Sequence, residues 1–117
     1  MKKYRESKLW FFMNIVFILF ILTIGSSCNK TSDVPGPNEV LIKGVAFNPS
    51  TITVASGTTI TWTNKDEFEH TVTSNTGIFD SGPISPNGTF SHTFNTVGSF
   101  SYHCSIHSTM TASVTVN

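Results

Sequence analysis

Residues 39–117 contain short runs in which apolar and polar side chains alternate, and this period of two limits the possible folds more than any other feature of the sequence. Successive side chains of a β-strand point to opposite faces of its sheet, so each run predicts a strand with one buried face. Turn-forming pairs such as Asn48-Pro49, Ser56-Gly57 and Asn87-Gly88 separate the runs. With no helical period and no internal repeat in this region, the pattern predicts an all-β sandwich or barrel. The alternating residues are Val40, Ile42, Ile52, Val54, Ile60, Trp62, Phe68, His70, Val72, Phe90, His92, Phe94, Phe100, Tyr102, Cys104, Ala112, Val114 and Val116.

Residues 1–27 are predicted to be a secretory signal. Residues 1–8 are basic, residues 9–24 are almost wholly apolar, and small residues then lead into Cys28. This layout resembles the signal of a bacterial lipoprotein, which implies a lipid anchor on the Cys28 thiol. Two alternatives remain open: ordinary secretion, and an uncleaved anchor, although a helix over residues 9–24 would span only roughly 24 Å of a ~30 Å hydrocarbon core. All three place the following domain outside the cytoplasmic membrane.

Residues 28–38 are predicted to be a flexible tether, because they are polar, lack periodicity and contain Pro35, Gly36 and Pro37. Residues 39–117 then form the single folded domain. Residues 29–117 carry six carboxylates against Lys30 and two further lysines, which gives a net charge of −3. A mildly acidic domain without a basic patch is poorly suited to binding nucleic acid.

Near the end of the chain, Cys104, His107 and Met110 follow one another at intervals of three residues. The alternation places Cys104 on an inward face, and the same argument applies to His70 on an earlier predicted strand. The turn after Cys104 can bring His107 and Met110 to the same point. A thiolate, two imidazoles and a thioether select copper over hard cations, and the thioether is a poor ligand for zinc. These four side chains leave no open position for a substrate, which favours electron transfer over catalysis.

Residues 39–117 resemble the cupredoxins of the plastocyanin, amicyanin and pseudoazurin group. Three stretches carry the resemblance: SGTTITWTNKDEFEHTVTSN, FDSGPISPNGTFSHTFNTVGSFSYHCSIHSTM and TASVTVN. The resemblance implies a Greek-key β-sandwich that binds one copper ion, with His70, Cys104 and His107 as equatorial ligands and Met110 as the axial ligand. It also implies that the Thr71 backbone N–H contacts the thiol sulfur. In this family the histidine matching His107 lies in an apolar surface patch through which electrons pass.

Simpler interpretations compete with the metal site. Cys104 alone would be an inert buried thiol, and Met110 alone would be a packing residue. Their spacing together with two histidines favours a metal. The leading hypothesis is a copper protein that shuttles single electrons and is not an enzyme. The alternatives are a copper-holding or copper-delivery module, a reductase that uses His103 at a second copper between subunits, and a metal-free immunoglobulin-like sandwich. His92 is predicted to be a packed histidine.

Asp66, Glu67 and Glu69 crowd the approach to His70. They form either a solvated loop or an acidic rim that steers a basic redox partner, such as a c-type cytochrome or an oxidase. Nearby carboxylates also favour Cu(II) and lower the reduction potential. We expect a monomer, tethered to a bacterial membrane through Cys28 and exposed at the periplasmic or extracellular face.

Overall fold

The structure, a computed structural model, describes residues 33–117. The predicted signal in residues 1–27, the predicted lipid site at Cys28 and the first part of the predicted tether lie outside the described residues. In the part that is described, no helix has the length and apolar character needed to cross a membrane.

Eight strands within residues 33–117 form two four-stranded sheets. The first sheet has the order β2-β1-β4-β6 and the second the order β3-β8-β7-β5. Apolar residues from both sheets share one core cluster, so the fold is the all-β, Greek-key sandwich that the sequence predicted. The strands are β1 (Glu39–Ile42), β2 (Phe47–Asn48), β3 (Thr51–Val54), β4 (Thr58–Asn64), β5 (Thr73–Ser74), β6 (Thr89–Phe94), β7 (Gly98–His103) and β8 (Thr111–Val116).

Burial follows the predicted period of two along most strands. In β3, Ile52 and Val54 are buried between exposed threonines, and in β8 both Val114 and Val116 are buried. Strand β1 differs because Leu41 is also buried, so this strand is covered on both faces. The alternation therefore identified the core correctly in the regular strands.

The prediction that Phe68 shares an inward face with His70 and Val72 is wrong. Phe68 is 46% exposed, and this segment contributes only an isolated bridge between His70 and Ile84. The cause is the fully buried side chain of Asn64, whose amide donates to the backbone carbonyls of Phe68 (2.8 Å) and Ile84 (2.9 Å). These bonds satisfy groups that a regular strand would pair, so the chain loops outward before it returns to the core at His70.

An aromatic cluster between the sheets supports the ends of β4 and β7. Trp62 and Tyr102 are both fully buried, and the indole Nε1–H donates to the Tyr102 hydroxyl at 3.1 Å. Their rings meet edge to face at 5.6 Å, and Phe47 and Phe79 pack beside them. Burial raises the pKa of Tyr102 to about 12, although the hydrogen bond from Trp62 acts in the opposite direction. Tyr102 is therefore neutral at physiological pH, and it adds no charge to the core.

Candidate metal centre

The loop between β7 and β8 carries three of the four predicted ligands. His103 pairs with Thr111, so residues 104–110 form the connection between the two strands. The Cys104 N–H donates to the Met110 carbonyl at 3.1 Å, and the Met110 N–H donates to the His107 carbonyl at 3.0 Å. These backbone hydrogen bonds close the loop and restrict the positions of the side chains that it carries.

The segment that carries His70 is attached to a neighbouring part of the chain. The His70 N–H donates to the Ile84 carbonyl at 3.3 Å, and the Ile84 N–H donates back to the His70 carbonyl at 2.7 Å. The His70 side chain is fully buried, as the sequence predicted. Its position is therefore set by backbone contacts on one side and by the core on the other.

Three potential ligand atoms converge where these two segments meet. The Cys104 Sγ lies 3.7 Å from the His70 Nδ1 and 3.8 Å from the His107 Nδ1, and one ligand atom from each of the three residues lies within 4.8 Å of the others. Thiolate and imidazole are ligand types that copper and other soft transition metals prefer. The residues present therefore fit a soft transition metal.

Met110, the predicted fourth ligand, is 2% exposed and belongs to the same core cluster as Cys104. Its backbone closes the loop as described above. Its role as the axial thioether ligand remains a prediction.

Asp66 contacts the ring of His70 on the side away from the sulfur. The His70 Nε2–H donates to the Asp66 Oδ2 at 2.8 Å, which leaves the Nδ1 lone pair free for a metal. Desolvation raises the pKa of Asp66, but hydrogen bonds from the N–H groups of Val45 and Gly44 and from His70 outweigh it, so the pKa lies below its usual value. Asp66 is therefore an ionised partner of the histidine.

Hydrogen bonds also surround the thiol of Cys104. The Thr71 N–H donates to the Cys104 Sγ at 3.3 Å, which confirms the contact that the family resemblance implied. The Ser105 N–H donates to the Thr71 hydroxyl at 2.7 Å, and the Thr73 and Ser105 hydroxyls lie 2.9 Å apart. A donor aimed at the sulfur stabilises the thiolate, and the hydroxyl contacts hold the residue that supplies it.

At the protein surface, apolar side chains lie next to the site and exposed carboxylates lie beside them. The ring of Phe68 lies 5.1 Å from that of His70 and 5.5 Å from that of His107, which is only partly buried. Ile106 beside it is 50% exposed. The side chains of Glu67 and Glu69 are exposed next to Phe68, whereas that of Asp66 is only 10% exposed. Of the three predicted rim carboxylates, Asp66 is therefore turned inward.

The two remaining histidines lie elsewhere. His103 points away from the thiol, and its Nδ1 lies 2.6 Å from the Asn75 side-chain oxygen. His92 packs between the rings of Phe79 and Phe94, each 4.8 Å away, as predicted for a packed histidine. Desolvation lowers the pKa of His92.

Sequence reasoning missed the roles of Asn64, Asp66 and Ser105 in building the site. The spacing Asn-x-Asp after a strand is typical of a side-chain-capped turn, and it could have identified Asn64, whose Oδ1 accepts the Asp66 N–H at 3.0 Å. No local pattern marks Ser105, because its partners lie more than thirty residues earlier.

Known proteins place these features in a family. The family model for a cupredoxin-like domain matches residues 14–116. The chain is similar to amicyanin-alpha of Methylorubrum extorquens, at 31% identity over 69% of this chain and 72% of the relative. It is also similar to plastocyanin of Scenedesmus fuscus, at 28% identity over 54% of this chain and 76% of the relative. Among solved structures, a purple cupredoxin from Nitrosopumilus maritimus matches with a TM-score of 0.63 and 29% identity, over 68% of this chain and 98% of its own.

Proposed function

The chain belongs to the cupredoxin family, in the group that contains plastocyanin and amicyanin, and we propose on this basis that it carries single electrons between redox proteins outside the cytoplasmic membrane. The observation that supports this most directly is the convergence of the His70, Cys104 and His107 ligand atoms within 4.8 Å. We propose these three residues as copper ligands and Met110 as the axial fourth. A bound copper ion supplies one-electron chemistry by alternating between Cu(I) and Cu(II).

The protein's own residues keep this site rigid. The loop of residues 104–110 is closed by its own hydrogen bonds, His70 is fixed by Ile84 and Asp66, and Thr71 holds the sulfur. A framework that changes little between the two oxidation states loses little energy to rearrangement at each transfer. Because the proposed ligand set leaves no position for a substrate, we propose that the protein is a carrier and not an enzyme.

We propose that the partner docks over His107. Phe68 and Ile106 supply exposed apolar surface there, and Glu67 and Glu69 supply negative charge. Residues 33–117 carry six carboxylates but only Lys43 and Lys65 as fixed cations. This charge favours a basic redox protein such as a c-type cytochrome or an oxidase, because opposite charges speed the encounter at low ionic strength.

Rapid-mixing experiments with a basic c-type cytochrome test the carrier function. We expect the copper-loaded protein to exchange electrons quickly, to keep its metal over repeated cycles, and to do so more slowly as salt is added. Glu67→Gln with Glu69→Gln should reduce the rate at low salt, whereas Asp80→Asn on another loop serves as the control. Loss of copper to a chelator during cycling, with slow electron exchange, would instead support a copper-holding or copper-delivery module.

We further propose that the protein is a monomer held at a membrane by lipid on Cys28. The support is the sequence layout of residues 1–28 and the polar tether that follows. Expression of the full chain and of Cys28→Ser in a bacterium tests this by fractionation and mass spectrometry. Lipid on the wild-type cysteine and release of the variant from the membrane are expected. Membrane retention of both would support an uncleaved anchor, and release of both would support ordinary secretion.

A further inference from the structure

The turn between β1 and β2 contains an unfavourable backbone conformation. Gly44 and Val45 both have positive φ, at 63° and 58°, and the Lys43 N–H donates to the Ala46 carbonyl at 3.0 Å. Glycine adopts positive φ easily, but a β-branched residue such as Val45 does so rarely and under strain. A contact from outside the turn is therefore needed to hold Val45 in this conformation.

That contact comes from Asp66. Its Oδ1 accepts the Gly44 N–H at 2.7 Å, and its Oδ2 accepts the Val45 N–H at 3.0 Å. The same Oδ2 accepts the His70 Nε2–H at 2.8 Å. One carboxylate, 10% exposed, thus connects a strained turn with a histidine of the candidate metal centre.

We propose that Asp66 is the positioning residue that orients His70 toward the metal and lowers the reduction potential of the site, and that the turn of Gly44 and Val45 holds Asp66 in place. This inference rests on the proposed copper site. The bond from Nε2–H fixes the tautomer in which Nδ1 is free to bind. A carboxylate behind a ligand imidazole makes the ring a stronger donor and stabilises the more positively charged oxidised ion.

The neighbouring glutamates differ from Asp66 in their exposure, and this difference allows the effect of Asp66 on the reduction potential to be distinguished from theirs. Glu67 and Glu69 are exposed, so water and salt screen their effect on the potential. Asp66 is largely withdrawn from solvent and bonded directly to the ring, so its effect should persist when ionic strength rises. Salt dependence therefore separates a bonded carboxylate from a surface charge.

The test compares Asp66→Asn in the full chain with the matched controls Glu67→Gln and Glu69→Gln. Redox titration at low and high salt should give an upward shift in potential for Asp66→Asn that exceeds both controls and is retained at high salt. The control shifts should be smaller and should shrink as salt is added. A shift no larger than the controls, or one that disappears at high salt, would overturn the proposal.

A copper-free measurement tests the same contacts independently. In the metal-free protein, nuclear magnetic resonance should show faster amide exchange at Gly44 and Val45 in Asp66→Asn, by more than about tenfold, and loss of the Nε2–H tautomer of His70. The additional change Val45→Gly should restore stability to Asp66→Asn but not its potential, because glycine relieves only the strain. Unchanged exchange and an unchanged tautomer would contradict the proposal. If the wild-type protein bound no copper, the proposed function would fail, and these copper-free data would still decide whether Asp66 holds the turn and His70.

Discussion

Two segments of this protein share the pattern Phe-x-His-Thr but place their histidines in different surroundings. Phe68-Glu-His70-Thr-Val72 and Phe90-Ser-His92-Thr-Phe94 both place a histidine two residues after a phenylalanine. The second segment is part of the regular strand β6, and its histidine packs between aromatic rings. In the first segment, Asn64 is hydrogen-bonded to the backbone carbonyl of Phe68, whose side chain is exposed. One ring nitrogen of His70 contacts the Asp66 carboxylate, and the other lies near the Cys104 thiol.

The comparison shows that two histidines packed against aromatic rings differ in the polar groups that their ring nitrogens meet. Among the described residues, the His92 side chain has only ring contacts, and desolvation lowers its pKa. His70 is more deeply buried but has a hydrogen-bond acceptor at Nε2 that leaves Nδ1 free. The partners of the two ring nitrogens therefore distinguish the two sites.

The largest difference should appear in copper affinity. Removing a proposed ligand in His70→Gly should weaken copper binding by more than the roughly 10- to 100-fold that loss of a supporting contact typically causes. The matched variant His92→Gly should bind copper as the wild type does, because its ring lies outside the converging group. Competitive titration against a chelator measures both. Equal losses in the two variants would mean that the ligand assignment is wrong.

The aromatic cluster around Trp62 and Tyr102 should contribute to stability without changing the metal site. Tyr102→Phe leaves the buried Trp62 Nε1–H without its acceptor, which should lower the free energy of unfolding by about 1–3 kcal/mol. Chemical denaturation of the copper-free protein measures the change, and the absorption of the copper-loaded variant is the control. A stability equal to that of the wild type would show that this hydrogen bond has little net value.

A smaller effect should appear in how the folding stability depends on pH, because of His92. Because desolvation lowers the pKa of His92 below its usual 6.5, the unfolded chain binds more protons than the folded protein as the pH falls below that value. The contribution of His92 to stability is therefore present above pH 6.5 and decreases as the pH falls toward the folded pKa. Denaturant midpoints at about pH 7.5 and about pH 5 should differ more in the wild type than in His92→Phe. If both proteins lost equal stability, protonation of His92 would not oppose folding.

The period-two pattern was sufficient to predict the sandwich and most of its core, because a strand with one buried face buries every second residue. The same rule failed at Phe68, where the buried Asn64 amide competes with strand pairing. The spacing of Cys104, His107 and Met110 predicted candidate ligands on one short loop, and the structure brings the ligand atoms of Cys104 and His107 together there. The role of Asp66 could not be predicted, because its partners Gly44 and Val45 lie more than twenty residues earlier and meet it only in the folded protein.

If Cys104 and the two histidines form one copper site, the visible absorption of the purified protein titrated with Cu(II) will reveal it. We expect an intense thiolate-to-copper band that saturates at one copper ion per chain and is absent from Cys104→Ser. A colourless protein, or weak colour that the substitution leaves unchanged, would contradict it.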